Sequence, residues 1–404
     1  MSSSQSARPF RRRVFYIPGF DPYPARRYRE LYRKEGREQA QLSGYTLEMR
    51  ARIGTEGYAW NVVTQTQGTR AHTRYDILVW NDLVRDGMAM SIPGTYARLV
   101  QVAWLYVSSG AFRRLMMLRK GPVIAALYPI VVLVLQLLIA LAAAWSVSRA
   151  VSAVTFPGAG LIVGLPLLVF LMRWFKARDR WLFAYYLMQD YAFTAQRSGA
   201  NPPELDSRIE DFKQRILAAL GTDVDEVLVV GHSSGAHLAI NILADLSRDQ
   251  LIPLRGPKLA FLSLGQVVPM VSFLPRAYKL RADLHHLSQQ DHLFWLDVSA
   301  PGDGCSFALC DPVSVSGVAP DNKKWPLVIS AAFSQTLSPQ KWKALRRRYF
   351  RLHFQYLCAF DQPADYDYFQ ITAGPMTLQQ RFTGRKPSAS RIDVPASPHT
   401  AMHI

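Results

Sequence analysis

The sequence predicts an α/β fold, a mostly parallel sheet flanked by helices and interrupted by a two-helix transmembrane hairpin. Three observations predict it. Short β-branched and aromatic runs at residues 14–17, 58–66 and 75–80 alternate with a longer amphipathic stretch at 23–43, and such alternation argues for parallel strands covered on both faces. Residues 122–147 and 151–172 carry no charged side chain. At about 1.5 Å per residue, each is long enough to cross a hydrocarbon core of about 30 Å. Residues 227–239 read as a buried strand, a tight turn and a helix, with four apolar residues followed by Gly231-His232-Ser233-Ser234-Gly235.

The elements follow in order. Residues 1–10 are Ser-rich and read as disordered. Residues 14–17 form a strand ending at Pro18-Gly19, and 23–43 a basic helix stopped by Gly44. Residues 92–118 are apolar with helical period and suit a helix lying along a membrane interface. The two uncharged runs then form a hairpin turning near 146–150. Residues 181–197 and 203–220 read as helices, 258–264 as a strand, 275–289 as a basic helical stretch, 293–299 and 325–333 as strands, and 339–357 as a helix. The tail from Arg385 reads as disordered.

The chain has 404 residues, 49% of them hydrophobic, and a formal charge of +17, which suffices for a sizeable core and points to anionic partners. No zinc-finger, RNA-binding or homeodomain pattern accompanies the charge, so nucleic acid is not the expected partner. A bilayer with anionic headgroups is. Arg113, Arg114, Arg119 and Lys120 precede the first span, and Arg173, Lys176, Arg178 and Arg180 follow the second. Only Arg149 lies in the expected turn. The positive-inside rule then puts both ends of the hairpin, both termini and the soluble domain on the cytoplasmic side of the inner membrane. The cysteines Cys305, Cys310 and Cys358 form no even framework and no metal spacing, so a reducing compartment and buried thiols are expected. Residues 14–17 are too short for the apolar region of a secretory signal, and Arg11-Arg12-Arg13 lacks the apolar stretch of a twin-arginine one.

Gly231-His232-Ser233-Ser234-Gly235 between strand and helix is the context that gives a G-x-S-x-G pattern meaning. The turn is sharp, so Gly231 and Gly235 leave room for crossing backbone, and Ser233 is held with its hydroxyl outward. The Ser234 N–H sits at a helix N-terminus, where the dipole favours a developing oxyanion.

On these residues the chain resembles the α/β-hydrolase superfamily, and within it the lipases and esterases whose turn reads G-H-S-x-G. The resemblance covers most of the chain and is broken by the hairpin. It implies an α/β-hydrolase-like domain in two parts, residues 1–82 and 181–384, around a membrane insertion at 83–180, with a tail at 385–404. It also implies a serine nucleophile at Ser233 and an oxyanion N–H from the turn after the first strand, here Phe20, although Pro18-Gly19 stands where the family commonly has His-Gly. The family's order of serine, acid, histidine implies an acid just past a late strand: Asp303 after strand 293–299, with Asp311 in Asp311-Pro312-Val313 as its rival. Asp297 falls inside the strand and reads as structural. The histidine implied beyond the last strand is His353. His232 reads as packing before the serine. His285-His286 do not share a face and read as no metal pair. Asp361 to Phe369, acidic and aromatic, reads as a lid, a substrate wall or a packed loop.

A hydroxyl needs a base to take its proton, and the base an orienting carboxylate. The expected activity is hydrolysis of a hydrophobic or lipid ester through an acyl-serine, with no cofactor and no metal. Transfer of the acyl group to another acceptor, or a non-catalytic membrane scaffold, are the alternatives.

Overall fold

A strand that is apolar at consecutive positions must be covered on both faces. β5 (Glu226–His232) and β7 (Leu293–Ser299) are buried at every residue. The computed structural model describes residues 8–21, 24–51, 58–83, 90–253 and 255–403. The other strands are β1 (Phe10–Ile17), β2 (Thr46–Ala51), β3 (Tyr58–Thr66), β4 (Thr69–Ile77), β6 (Lys258–Leu264) and β8 (Leu327–Ser330). They form one eight-stranded sheet in the order β2-β3-β4-β1-β5-β6-β7-β8. Pairings from β4 through β1 to β8 are parallel, and β2–β3 and β3–β4 are antiparallel.

The first strand therefore lies at the centre. Its register on β5 pairs Val14 with Leu228 and Ile17 with Gly231, which brings the turn after β1 beside the turn after β5. The strands' period of two sorts their side chains into two cores. Val14, Tyr16, Leu228 and Val230 pack with Tyr28, Tyr32, Trp60 and Tyr75. Phe15, Ile17, Val227 and Val229 pack with Ile209, Phe212, Leu238 and Ile242. Burial contributes about 1.5–3 kcal/mol for each large apolar side chain, so these layers hold the sheet as a rigid platform.

Several local expectations change. The sequence reading missed β2, whose residues Thr46 to Ala51 alternate with charges, a pattern suited to an edge strand. The strand expected at 75–80 is β4, which ends at Ile77. Gln67 and Gly68 turn it back from β3 with φ of 50° and 80°, the left-handed pair of a two-residue hairpin. The helix expected at 23–43 runs from Arg26 to Ser43 and stops at Gly44, φ 70°; residues 22 and 23 lie outside the described ones, as do residues 1–7 of the N-terminal segment. The last strand is shorter than expected at both ends: Pro326 precedes it, and Ala332 at φ 46° turns the chain into the helix Phe333–Thr336. The expected helix at 339–357 is three short pieces, Pro339–Leu345, Tyr349–His353 and the 3-10 turn Gln355–Leu357. Asp361 to Phe369 is a packed segment: Tyr366, Tyr368 and Phe369 are buried, and Asp367 caps the helix Tyr368–Ala373. The tail expected to be disordered is docked. Asp311 N–H donates to Ile392 O at 2.8 Å, Ile392 N–H to Leu309 O at 2.8 Å, and Ser388 N–H to Val328 O at 2.8 Å. Its backbone finds partners on the domain, a long-range effect that local composition does not report.

The expected helix at 92–118 is two helices, Ile92–Ser108 and Ala111–Leu118, broken at Gly110 with φ 77°. Leu99, Val102, Tyr106 and Leu115 face a third core with Met188, Phe273 and Phe307, while Val100, Trp104 and Val107 on the opposite side stay exposed. The two uncharged runs form the helices Lys120–Val154 and Ala159–Ala177, both long and apolar enough to cross a membrane. Their turn lies at residues 155–158, not near 146–150. Nothing at 146–150 breaks a helix, whereas Pro157-Gly158 does, with Gly158 at φ 92°, and Arg149 is thereby inside the first helix. The pair packs through small residues. A Cβ on Gly160 would lie 1.9 Å from Ser148 O, and one on Gly164 2.9 Å from Ala144 O. Their outer faces, including Leu138, Trp145 and Ile162, are exposed.

Candidate active site

The elbow is built by close backbone approach. A Cβ on Gly235 would lie 2.2 Å from Ile17 O, and one on Gly231 2.7 Å from Ala236 Cα, so neither position admits a side chain. The turn leaves Ser233 at φ 56°, a strained conformation for a residue other than glycine. Ser233 N–H donates to Leu264 O at 2.9 Å, which ties the turn to β6. The helix Gly235–Arg248 starts immediately after Ser234, so unpaired N–H groups and the positive end of the helix dipole lie beside the serine.

The loop after β7 brings Asp303 to His353. His353 Nδ1–H donates to Asp303 Oδ2 at 2.7 Å. The same oxygen accepts from the Tyr356 hydroxyl at 3.0 Å, and Asp303 Oδ1 accepts from Cys305 N–H at 2.9 Å. Burial alone would raise the Asp303 carboxyl, but the facing His353 and the Cys305 N–H hold it below the usual carboxylate range. The Nδ1–H donation assigns the tautomer of neutral His353, with Nε2 as the free acceptor. That nitrogen is buried without a hydrogen-bond partner. No hydrogen bond joins it to Ser233 in this structure, although both residues line one cavity of about 220 Å³.

Asp311 is elsewhere. It caps the short helix at Pro312 through Val313 N–H and Ser314 N–H and pairs with Lys323 at 2.6 Å. Asp297 is inside β7 and accepts from the Ser263 hydroxyl at 2.7 Å; burial raises its pKa to about 7. His285 binds Val318 O, and His286 and His292 both contact the Ser247 hydroxyl.

His232 does more than pack. Its Nε2–H donates to His353 O at 3.1 Å, and the two rings lie 4.7 Å apart. Burial and the neighbouring His353 lower its pKa to about 3, so it stays neutral and positions the His353 segment. Tyr356 was also missed. Its hydroxyl joins Asp303 to Ala300 N–H, and the one signal for it is its place three residues after His353. Asp190, on the helix Ala184–Ala195, lines the cavity too, and burial raises its carboxyl to about 7.

Phe20 sits where the first strand's turn was expected to place it, but its N–H donates to Ser234 Oγ at 2.8 Å. Its ring lies among Trp80, Tyr186 and Phe193, and the Tyr186 hydroxyl donates to Phe20 O.

The long apolar helix reaches the cavity. Pro122 and Ala125, in the first turns of the helix Lys120–Val154, line it with Phe183, Leu187, Met270 and Phe350. Gly121 meets the acid loop so closely that a Cβ there would lie 3.3 Å from Gly304 Cα. Arg119 Nε–H donates to Ala308 O at 2.9 Å.

A sheet of this order with a serine elbow after its fifth strand defines a class of hydrolytic and acyl-transferring enzymes. The model of the alpha/beta hydrolase family matches residues 134–404, about two thirds of the chain. The protein belongs to the α/β hydrolase family. No curated protein and no solved structure gives a match. The matched region holds the elbow, Asp303 and His353. Strands β1–β4 lie before it and complete the same sheet.

Proposed function

We propose that the protein is a membrane-anchored serine hydrolase that cleaves the ester bond of a lipid or other hydrophobic acyl ester. Ser233 attacks the carbonyl, and His353 takes the serine proton and then gives it to the leaving alcohol. Asp303 fixes the His353 tautomer and stabilises the imidazolium, and water releases the acyl group from Ser233 with His353 again as base. Elbow N–H groups hold the oxyanion.

One observation carries the substrate class: the cavity that holds Ser233 and His353 is lined in part by Pro122 and Ala125, in the first turns of an apolar helix long enough to span a bilayer. An acyl chain there meets a surface continuous with the membrane. Exposed Phe350 and Trp181 and the arginines Arg346, Arg347 and Arg348 nearby in the chain suit an interface with anionic headgroups. The basic flanks put both ends of the hairpin, and so the hydrolase domain, on the cytoplasmic side of the inner membrane. A reporter fused after Ile404 should therefore read cytoplasmic; a periplasmic or luminal reading overturns the orientation.

The test of the activity is labelling of membrane fractions with a fluorophosphonate. Wild type should label, and Ser233→Ala should not. A folded, membrane-inserted wild type that stays unlabelled, and that hydrolyses no short or long acyl ester, would move the assignment to a scaffold that retains the fold. Product analysis with added alcohols separates hydrolysis from acyl transfer.

A further inference from the structure

We propose that the side-chain hydroxyl of Ser234, rather than the Phe20 N–H directly, donates to the oxyanion. The inference rests on the serine-hydrolase reading and assigns a catalytic role to a residue whose backbone alone that reading uses.

Four features lead to it. The Phe20 N–H already donates to Ser234 Oγ at 2.8 Å, a good hydrogen-bond length for this pair. The turn carrying that N–H is clamped: Trp80 Nε1–H donates to Pro18 O at 2.9 Å, the Tyr186 hydroxyl to Phe20 O, and the Phe20 ring is held between Trp80 and Phe193. Re-aiming the N–H would break several contacts at once. Gly19 closes the gap from the other side, since a Cβ there would lie 3.0 Å from Ser233 Cβ and 3.4 Å from Ser234 Oγ. Lastly, Ser234 Oγ accepts this one bond, and its own proton goes to no acceptor among the described residues, although Ser234 lines the cavity beside Ser233.

A hydroxyl has one proton to give. Here its lone pair is engaged by a fixed N–H, which polarises the O–H and makes it a stronger donor. Aiming that proton requires rotation about one side-chain bond, and no backbone movement. An oxyanion forming on a carbonyl attached to Ser233 would then meet two donors from Ser234, its N–H at the helix start and its O–H, with Phe20 behind the second. No bond is made or broken in this role. The arrangement also accounts for a turn reading Pro-Gly-Phe, because the turn need only present its N–H to a neighbouring side chain.

The competing reading is that Ser234 Oγ merely stops the Phe20 N–H from facing the cavity. The two readings predict opposite signs for Ser234→Ala. A donating hydroxyl predicts a fall in kcat of about 10–10²-fold, the Ser234 N–H remaining in place as the other donor. KM should stay within about threefold, as expected when an interaction made only in the transition state is removed. Ser234→Thr, which keeps the hydroxyl, should recover most of the rate. An alkyl boronate, which forms a charged tetrahedral adduct on Ser233, should bind Ser234→Ala more weakly by about the factor seen in kcat. An unchanged or raised kcat in Ser234→Ala, with wild type active on the same ester, overturns the proposal and leaves the hydrolase reading intact. A fall in Ser234→Ala that Ser234→Thr does not recover, or that appears in KM instead, also overturns it. A wild type inactive towards both ester and fluorophosphonate overturns the hydrolase reading and this proposal with it.

Discussion

Replacing Ser233 with alanine is expected to lower kcat for ester cleavage by about 10⁴–10⁶-fold, and His353→Ala by a similar factor. In the proposed mechanism the two groups act as one unit. A serine hydroxyl is a weak nucleophile until a base takes its proton, so removing either member removes the same pathway. The double variant should therefore be little worse than either single one. Asp303→Asn tests the third member. Asp303 accepts from His353 Nδ1–H, Tyr356 and Cys305 N–H. An amide would give the ring an N–H where it now finds an acceptor, favour the other tautomer, and cost about 10⁴-fold in kcat. Tyr356→Phe removes one of Asp303's donors and leaves the acid–histidine bond, so it should cost far less. Initial rates on a short-chain ester, measured with each variant in detergent, decide the matter. Single-variant losses that multiply in the double variant would show that Ser233 and His353 do not act together, and an active Ser233→Ala would remove the mechanism altogether.

The second large effect concerns stability. Arg12→Ala is expected to destabilise the sheet by about 3–5 kcal/mol. Arg12 and Glu226 are both fully buried, on adjacent strands β1 and β5, and Arg12 Nε–H donates to Glu226 Oε2 at 2.5 Å. The guanidinium also donates to Gly374 O at 2.7 Å and to Met376 O, while Glu226 Oε1 accepts from Leu378 N–H at 2.6 Å. The pair thus ties the two central strands to the C-terminal segment. Removing the cation alone leaves a carboxylate without its partner and two carbonyls without a donor. Burial already raises the Glu226 pKa, opposed chiefly by Arg12, and without Arg12 it should rise further. A carboxyl whose folded pKa is raised loses stability as pH climbs above its unfolded value of about 4.3. The deficit of Arg12→Ala should therefore be smaller near pH 4, where only the orphaned carbonyls and lost packing contribute, and grow towards pH 8. Replacing both residues with leucine should recover part of the loss, since it leaves no buried charge. Thermal unfolding at pH 5 and pH 8 checks both statements, and a deficit that is small at both or larger at pH 5 would refute them.

Much of the candidate site's framework was legible in the sequence because it is local. Five consecutive residues, with an apolar strand before them and a helix after, report the elbow and its serine. The hairpin was equally legible, since absence of charge over a membrane's length is a property of the run itself. The choice between Asp303 and Asp311 was not. Both follow β7, and only the folded loop turns one towards His353 and makes the other a helix cap bound to Lys323. His232 could be read as a packing residue, but its bond to the His353 carbonyl depends on two segments 121 residues apart.

The sequence by itself determined most of the strand and helix types, the sharp turn at Ser233 and the presence of the apolar pair, though not where that pair turns. These follow from side-chain periodicity, from glycine at close approaches and from the cost of burying charge, all of which act over a few residues. Tertiary structure alone decided that the first strand lies beside β5, that the Phe20 N–H meets a serine side chain, and that the start of the long apolar helix lines the cavity. It also decided that the tail docks. Each of these depends on pairing across long loops, where the interaction energy comes from surfaces meeting in space and leaves no mark in the local order of residues.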